Sequence, residues 1–193
     1  MNRKAKYHHG TLDREAMKRG LEIVAEQGPM ALTMRGLARE LGVTASALVY
    51  YYGNRAGLRA AVARTAAERM RPFSVVRSGG LRAGQTLRAT AHSWVEFATK
   101  NPNLYRLIFG EGWRGGSYPT LPRRDCVHSV DRISNIGQMS RHIQPCNPNE
   151  HGWQLFTAMH GLAFSLADGA CPPKSVGPII DRFVRSIENP RKA

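Results

Sequence analysis

Apolar residues recur at three- and four-residue intervals along most of this chain, and they nowhere alternate with polar ones for the length of a strand. From Thr11 onward, Ala16, Met17, Leu21, Val24 and Ala25 mark one face of a helix. Thr11 is its expected N-cap, with Asp13 and Glu15 in the first turn, where the helix dipole favours acids. Gly28-Pro29 ends that helix. Thr33 then caps a short second helix with Leu37, Ala38 and Leu41 inward and Gly42 as its stop. Thr44 caps a third, in which Leu48 and Tyr52 share a face and which Gly53 closes. Asn54 caps a fourth through Met70, with Leu58, Ala61, Val62 and Thr65 inward and Pro72 breaking the pattern.

Residues 74–80 read as a connection to a second helical block. Leu87, Ala91, Trp94, Val95 and Ala98 mark a helix that ends near Asn101-Pro102, and 104–109 forms a short one. Residues 111–122 (EGWRGGSYPTLP) read as a loop long enough to suggest function. Further helices are expected at roughly 124–143, 148–168 and 176–188. The expectation is an all-α chain of about nine helices. It divides into residues 1–70, with a basic arm over 1–10, and residues 71–193.

Charge changes the picture more than composition does. The hydrophobic share is ordinary for a folded protein, but a formal net charge of +14 calls for an anionic partner, nucleic acid before membrane. Residues 1–71 hold thirteen Lys/Arg against six Asp/Glu, and residues 72–193 hold fifteen against eight. Each segment thus carries half of the excess, and the shorter N-terminal one carries it more densely. No apolar run approaches the ~20 residues of a membrane span, and the basic start MNRKAKYHHG lacks the apolar stretch of a signal peptide. Cys126, Cys146 and Cys171 are odd in number and form no Cys-x-x-Cys pair, which suits a reduced, cytoplasmic setting.

The stretch LGVTASALVYYYGNR, residues 41–55, carries the sharpest signal. Three successive tyrosines cannot face one core from a helix. Two short helices joined by Gly42-Val43, each with one narrow apolar face, have the pattern of a helix-turn-helix, whose second helix enters the major groove. Leu48 and Tyr52 then face helix one. Tyr50 and Tyr51 lie on other faces, where their hydroxyls can donate to phosphate oxygens. From Thr44 to Tyr52 there is no Arg, Lys, Asn or Gln, the side chains that read guanine or adenine bidentately. Ala45, Ala47 and Val49 offer only methyl groups. Arg35 is then the candidate for a guanine contact, with a phosphate clamp as the equal alternative.

The segment LTMRGLARELGVTASALVYYYGNRAGL, residues 32–58, resembles the DNA-binding domain of the TetR (tetracycline repressor) family, a likeness that extends over about residues 8–70. HHGTL and AMHGLAFSLADG resemble the sub-branch of that family named for Trp, His and Gly. There the His-Gly pair is His160-Gly161, and Phe156 stands where the branch carries Trp. The resemblance implies DNA contacts by Thr33 and Arg35 from helix two and by Thr44, Ser46 and Ala47 from helix three. It further implies backbone contacts by Tyr50 and Tyr51 and a phosphate held by Arg55. Val49 occupies a position often filled by Tyr, so the phosphate contact relatives make there is lost.

Some 120 residues remain for a second task, which in that family is effector binding and dimerisation. Trp94, Phe109, Phe156 and His160 are the candidate effector-binding residues, although an aromatic stripe also makes core, and His160 can be a core histidine. By resemblance, helices 148–168 and 176–188 form the interface of a homodimer. Cys126, His128, His142, Cys146 and His151 match no standard zinc spacing, and no P-loop, dinucleotide fingerprint or Gly-x-Ser-x-Gly occurs. No metal, cofactor or catalytic residue is expected. The implied function is a bacterial transcription regulator, a repressor that binds a pseudo-palindromic DNA operator and is released by a small molecule. The alternative is a basic helical nucleic-acid-binding or architectural protein without effector.

Overall fold

The computed structural model describes residues 9–74, 83–109 and 148–188, and within them the chain is all-α. Its helices are α1 (His9–Gln27), α2 (Met34–Leu41), α3 (Ala45–Tyr52), α4 (Arg55–Ser74), α5 (Ala83–Lys100), α6 (Pro102–Phe109), α7 (Pro148–Ala167) and α8 (Val176–Glu188). Two 3-10 turns, Pro29–Ala31 and Pro173–Ser175, precede α2 and α8. The loop expected at 111–122, the helix at 124–143, most of the basic arm and the residues Cys126, His128, His142 and Cys146 lie outside the described residues. No helix among the described residues is long and apolar enough to cross a membrane.

The chain divides into two compact units. The first runs through Ala67 and includes α6 from Asn103 onward. Its core is built by Leu12, Ala16, Leu21 and Val24 of α1, Leu37 and Ala38 of α2, Leu48 of α3, and Leu58 and Val62 of α4, all buried. Burying one such leucine stabilises by about 1.5–3 kcal/mol, so α3, only two turns long, is held largely by Leu48. Asn103 of α6 donates from Nδ2 to the Ala25 carbonyl at 3.0 Å.

Three expectations are corrected here. Thr11 lies inside α1 rather than capping it, because the helix already includes His9 and Gly10. Ala25 is exposed. The buried stripe of α1 follows Leu12, Ala16, Gly20 and Ile23–Val24, which turns Ala25 to solvent. Helix α4 does not break at Pro72 but runs to Ser74. An interior proline removes one hydrogen bond and bends a helix without having to end it.

The second unit holds α5 through Pro102 together with α7 and α8. Leu87, Ala91, Trp94, Val95 and Ala98, the stripe read from the sequence, are all buried. Helix α5 packs against both α7 and α8, and Leu155, Phe156, Met159 and Ala163 of the one and Ile180 and Val184 of the other are buried. Arg88 of α5 donates from Nε to Asp181 Oδ1 of α8.

Candidate nucleic-acid interface

The local rules that shape α2 and α3 are visible at every junction. Thr33 Oγ1 accepts the Gly36 N–H at 3.1 Å, and Thr44 Oγ1 accepts the Ala47 N–H at 3.2 Å. Each satisfies an amide that the first helical turn leaves unpaired. Between them Gly42 takes a left-handed conformation (φ 66°), and Val43 N–H returns to the Ala38 carbonyl at 3.0 Å. That closure sets the angle between the two helices.

At the far end of α3, Tyr52 is half-buried and its hydroxyl donates to Asp13 Oδ1 of α1 at 2.8 Å. Burial first, and the bond to Asp13 second, push this phenol above its ordinary pKa. Asn54 Oδ1 accepts the Gly57 N–H at 2.9 Å, capping α4 as expected. Gly57 carries a role that sequence reasoning missed. A Cβ there would lie 1.9 Å from the Tyr52 carbonyl oxygen, so only glycine lets α4 start this close to the end of α3. The signal in the sequence is a glycine at the third helical position after an Asn cap.

With Leu48 and Tyr52 facing inward, α3 turns Ser46, Val49 and Tyr50 to solvent, with Thr44 exposed before it. Tyr50 is 81 % exposed. Tyr51 is half-buried, its ring edge-on to Tyr50 at 5.6 Å and 6.1 Å from Tyr52. Ala47 is half-buried and Arg35, in the first turn of α2, is exposed. The α2 side is braced by Arg19 of α1, which donates to Glu22 on its own helix and to Glu40 on α2. Those two bonds raise the Arg19 pKa and keep it cationic.

Arg55, expected to hold a phosphate, also reaches back to the turn before α2. Its Nε donates to the Leu32 carbonyl at 3.2 Å and its Nη2 to the Met30 carbonyl at 2.7 Å. It ties the start of α4 to the turn before α2. The turn 28–33 offers carbonyls with no helical partner, and a forked guanidinium can take two of them together.

Of the candidate effector residues, three meet in the second unit. Trp94 and Phe156 pack edge-on at 5.6 Å, and the Phe156 ring stacks on His160 at 5.3 Å. His160 in turn meets Phe164 edge-on at 4.8 Å. Phe109 belongs to the first unit, where its ring lies 4.8 Å from Tyr105. On α8, a shallow surface groove of about 760 Å³ is lined by Ile179, Phe183, Pro178, Lys174 and Arg182 among others. Ile179 is 42 % exposed.

Residues 17–62 match the model of the bacterial regulatory proteins of the tetR family. No curated protein matches in sequence. Among solved structures, a protein of unknown function from Rhodococcus sp. RHA1 is 24 % identical and superposes with a TM-score of 0.80, over 96 % of this chain and 100 % of its own. A TetR-family transcriptional regulator from Pectobacterium atrosepticum shares 18 % identity, with a TM-score of 0.71 over 96 % of each chain. A TetR variant from Acinetobacter baumannii AYE in complex with minocycline shares 20 % identity, with a TM-score of 0.67 over 97 % of this chain and 100 % of its own. These likenesses show a common fold, and the family match falls on the capped helix pair just described. Over residues 17–62 the chain carries the capped helix pair of the bacterial tetR-family regulatory proteins, and over more than nine-tenths of its length it shares the fold of solved TetR-family regulators.

Proposed function

We propose that the protein is a homodimeric repressor that binds a pseudo-palindromic operator and leaves it when a small molecule binds the second unit. The observation that carries this reading is the outer surface of α3, where Ser46, Val49 and Tyr50 are exposed on a helix whose other face is fixed by Leu48 and Tyr52. Thr33, Arg35, Thr44, Ser46, Ala47, Tyr50 and Tyr51 are the proposed DNA contacts. Arg55 anchors the turn through Nε and Nη2 and leaves Nη1 for a phosphate.

The stacked set Trp94, Phe156 and His160 is the proposed wall of an effector site, and it suits a flat, partly aromatic molecule. The minocycline complex of a protein with this fold supports that choice. Phe109, a sequence candidate for the same wall, lies in the first unit. The α8 groove around Ile179 and Phe183, with α7, is the proposed dimer surface, since an exposed apolar face on a terminal helix calls for a cover. A two-fold dimer sets its recognition helices about 34–36 Å apart, one DNA turn.

Light scattering at micromolar concentration should give twice the 21.4 kDa chain mass. A gel shift on a genomic fragment recovered with the protein should show one specific band that salt weakens steeply, as expected when Lys and Arg release counterions. A monomer that binds all duplexes alike would support the architectural reading instead.

A further inference from the structure

The geometry points to an operator read chiefly through thymine methyl groups, with Val49 as a specificity-determining side chain; this rests on the DNA-binding reading above. The exposed surface of α3 and its cap consists of Thr44, Ser46, Val49 and Tyr50. None of these can form the paired hydrogen bonds by which Arg, Lys, Asn and Gln discriminate guanine and adenine. The Thr44 hydroxyl accepts the Ala47 N–H, which keeps it at the helix start. The Ser46 hydroxyl can bond to several base edges and chooses poorly among them.

Val49 is 46 % exposed, although valine is ordinarily a buried residue. It follows the fully buried Leu48, about 100° further round the helix, so it cannot turn to the core without pulling Leu48 out. The Tyr52–Asp13 bond fixes the same rotation from the C-terminal end of α3. The isopropyl group is thus presented rigidly, one turn beyond the cap. In the major groove the one apolar feature of a base edge is the 5-methyl group of thymine. Val49 has a single partner of matching chemistry there.

The test uses the full chain. Selection from random duplexes yields the preferred operator, and each thymine in it is then replaced by deoxyuridine, which removes only the methyl group. Affinity is expected to fall roughly three- to fivefold at one or two places in each half-site, the value of one apolar methyl group withdrawn from contact. V49A, an exposed change to a good helix former, should melt like the parent yet bind thymine and uracil duplexes alike at one of those places. Specific binding that ignores every deoxyuridine, or a thymine preference that survives V49A intact, overturns the inference. Loss of binding on replacing guanine by 7-deazaguanine, with no deoxyuridine effect, also overturns it and assigns base reading to Arg35. A selection that returns no preferred sequence overturns the operator reading itself.

Discussion

The hydroxyl of Tyr52 donates to Asp13 Oδ1 at 2.8 Å, joining the last residue of the proposed recognition helix to a residue 39 positions earlier on α1. The bond lies at the surface, so it fixes direction more than it adds stability. Y52F should therefore lower unfolding stability by only about 1 kcal/mol. Y52A, which also removes the half-buried ring, should cost roughly 2–3 kcal/mol. Urea unfolding of both variants checks the order, and Y51A melting lower than Y52A would mean that α3 is rotated from the orientation described.

The same phenol makes stability depend on alkaline pH. Its pKa in the folded protein lies above the ordinary value of 10, so its contribution is complete below pH 10. Above pH 10 the unfolded chain loses this proton while the folded one retains it, and stability falls as pH rises. Y52F lacks the group. The stability difference between parent and Y52F should be constant from pH 7 to 9 and shrink between pH 10 and 11.5. Parallel curves across that whole range would count against burial and the Asp13 bond as the source of the raised pKa.

Arg55 predicts a result that a pure phosphate clamp does not. R55A should lose two bonds to the Leu32 and Met30 carbonyls and unfold about 1–2 kcal/mol more easily even without DNA. If Nη1 also holds a phosphate, the slope of log affinity against log salt should flatten by about one unit. Calorimetry of the free protein separates the two contributions. An unchanged melting temperature would mean the carbonyl bonds carry nothing.

Gly57 should tolerate no side chain. G57A places a methyl carbon 1.9 Å from the Tyr52 carbonyl oxygen, and backbone on backbone cannot yield as a side chain can. The turn must open, at an expected cost of more than about 3 kcal/mol and with loss of specific DNA binding. A56G, next to it and exposed, should cost about 1 kcal/mol and leave binding intact. Comparable denaturation midpoints for the two variants would show that the turn has room.

Much of the first unit is legible in the sequence because its shape is set by local chemistry. Thr33, Thr44 and Asn54 cap the helices that their positions predict, and Gly42 and Gly53 stop the helices before them. Such rules act over three or four residues and need no partner from elsewhere. Sequence and structure part where a distant neighbour or a longer reach decides. Thr11 has the right chemistry for a cap, but nothing upstream forbids one more turn of helix. Pro72 disfavours a helix without the power to end one. That Arg55 also binds carbonyls 23 and 25 positions away could not be read from its neighbours in the sequence. In the second unit, the spacing of Trp94, Phe156 and His160 announces a helical face but not that the three rings meet, because that depends on how α5 lies on α7.

The division of labour along α3 bears on how regulators of this kind diverge. Leu48, Tyr52, Thr44 and the glycines of the following turn hold the helix in place, whereas Ser46, Val49 and Tyr50 face solvent, Tyr50 with one edge contact to Tyr51. Changes at Ser46 and Val49 can accumulate with little effect on folding. After a gene duplication, one copy is free to acquire a new target by a few nucleotide changes, while its sensor and its folding stay as they were.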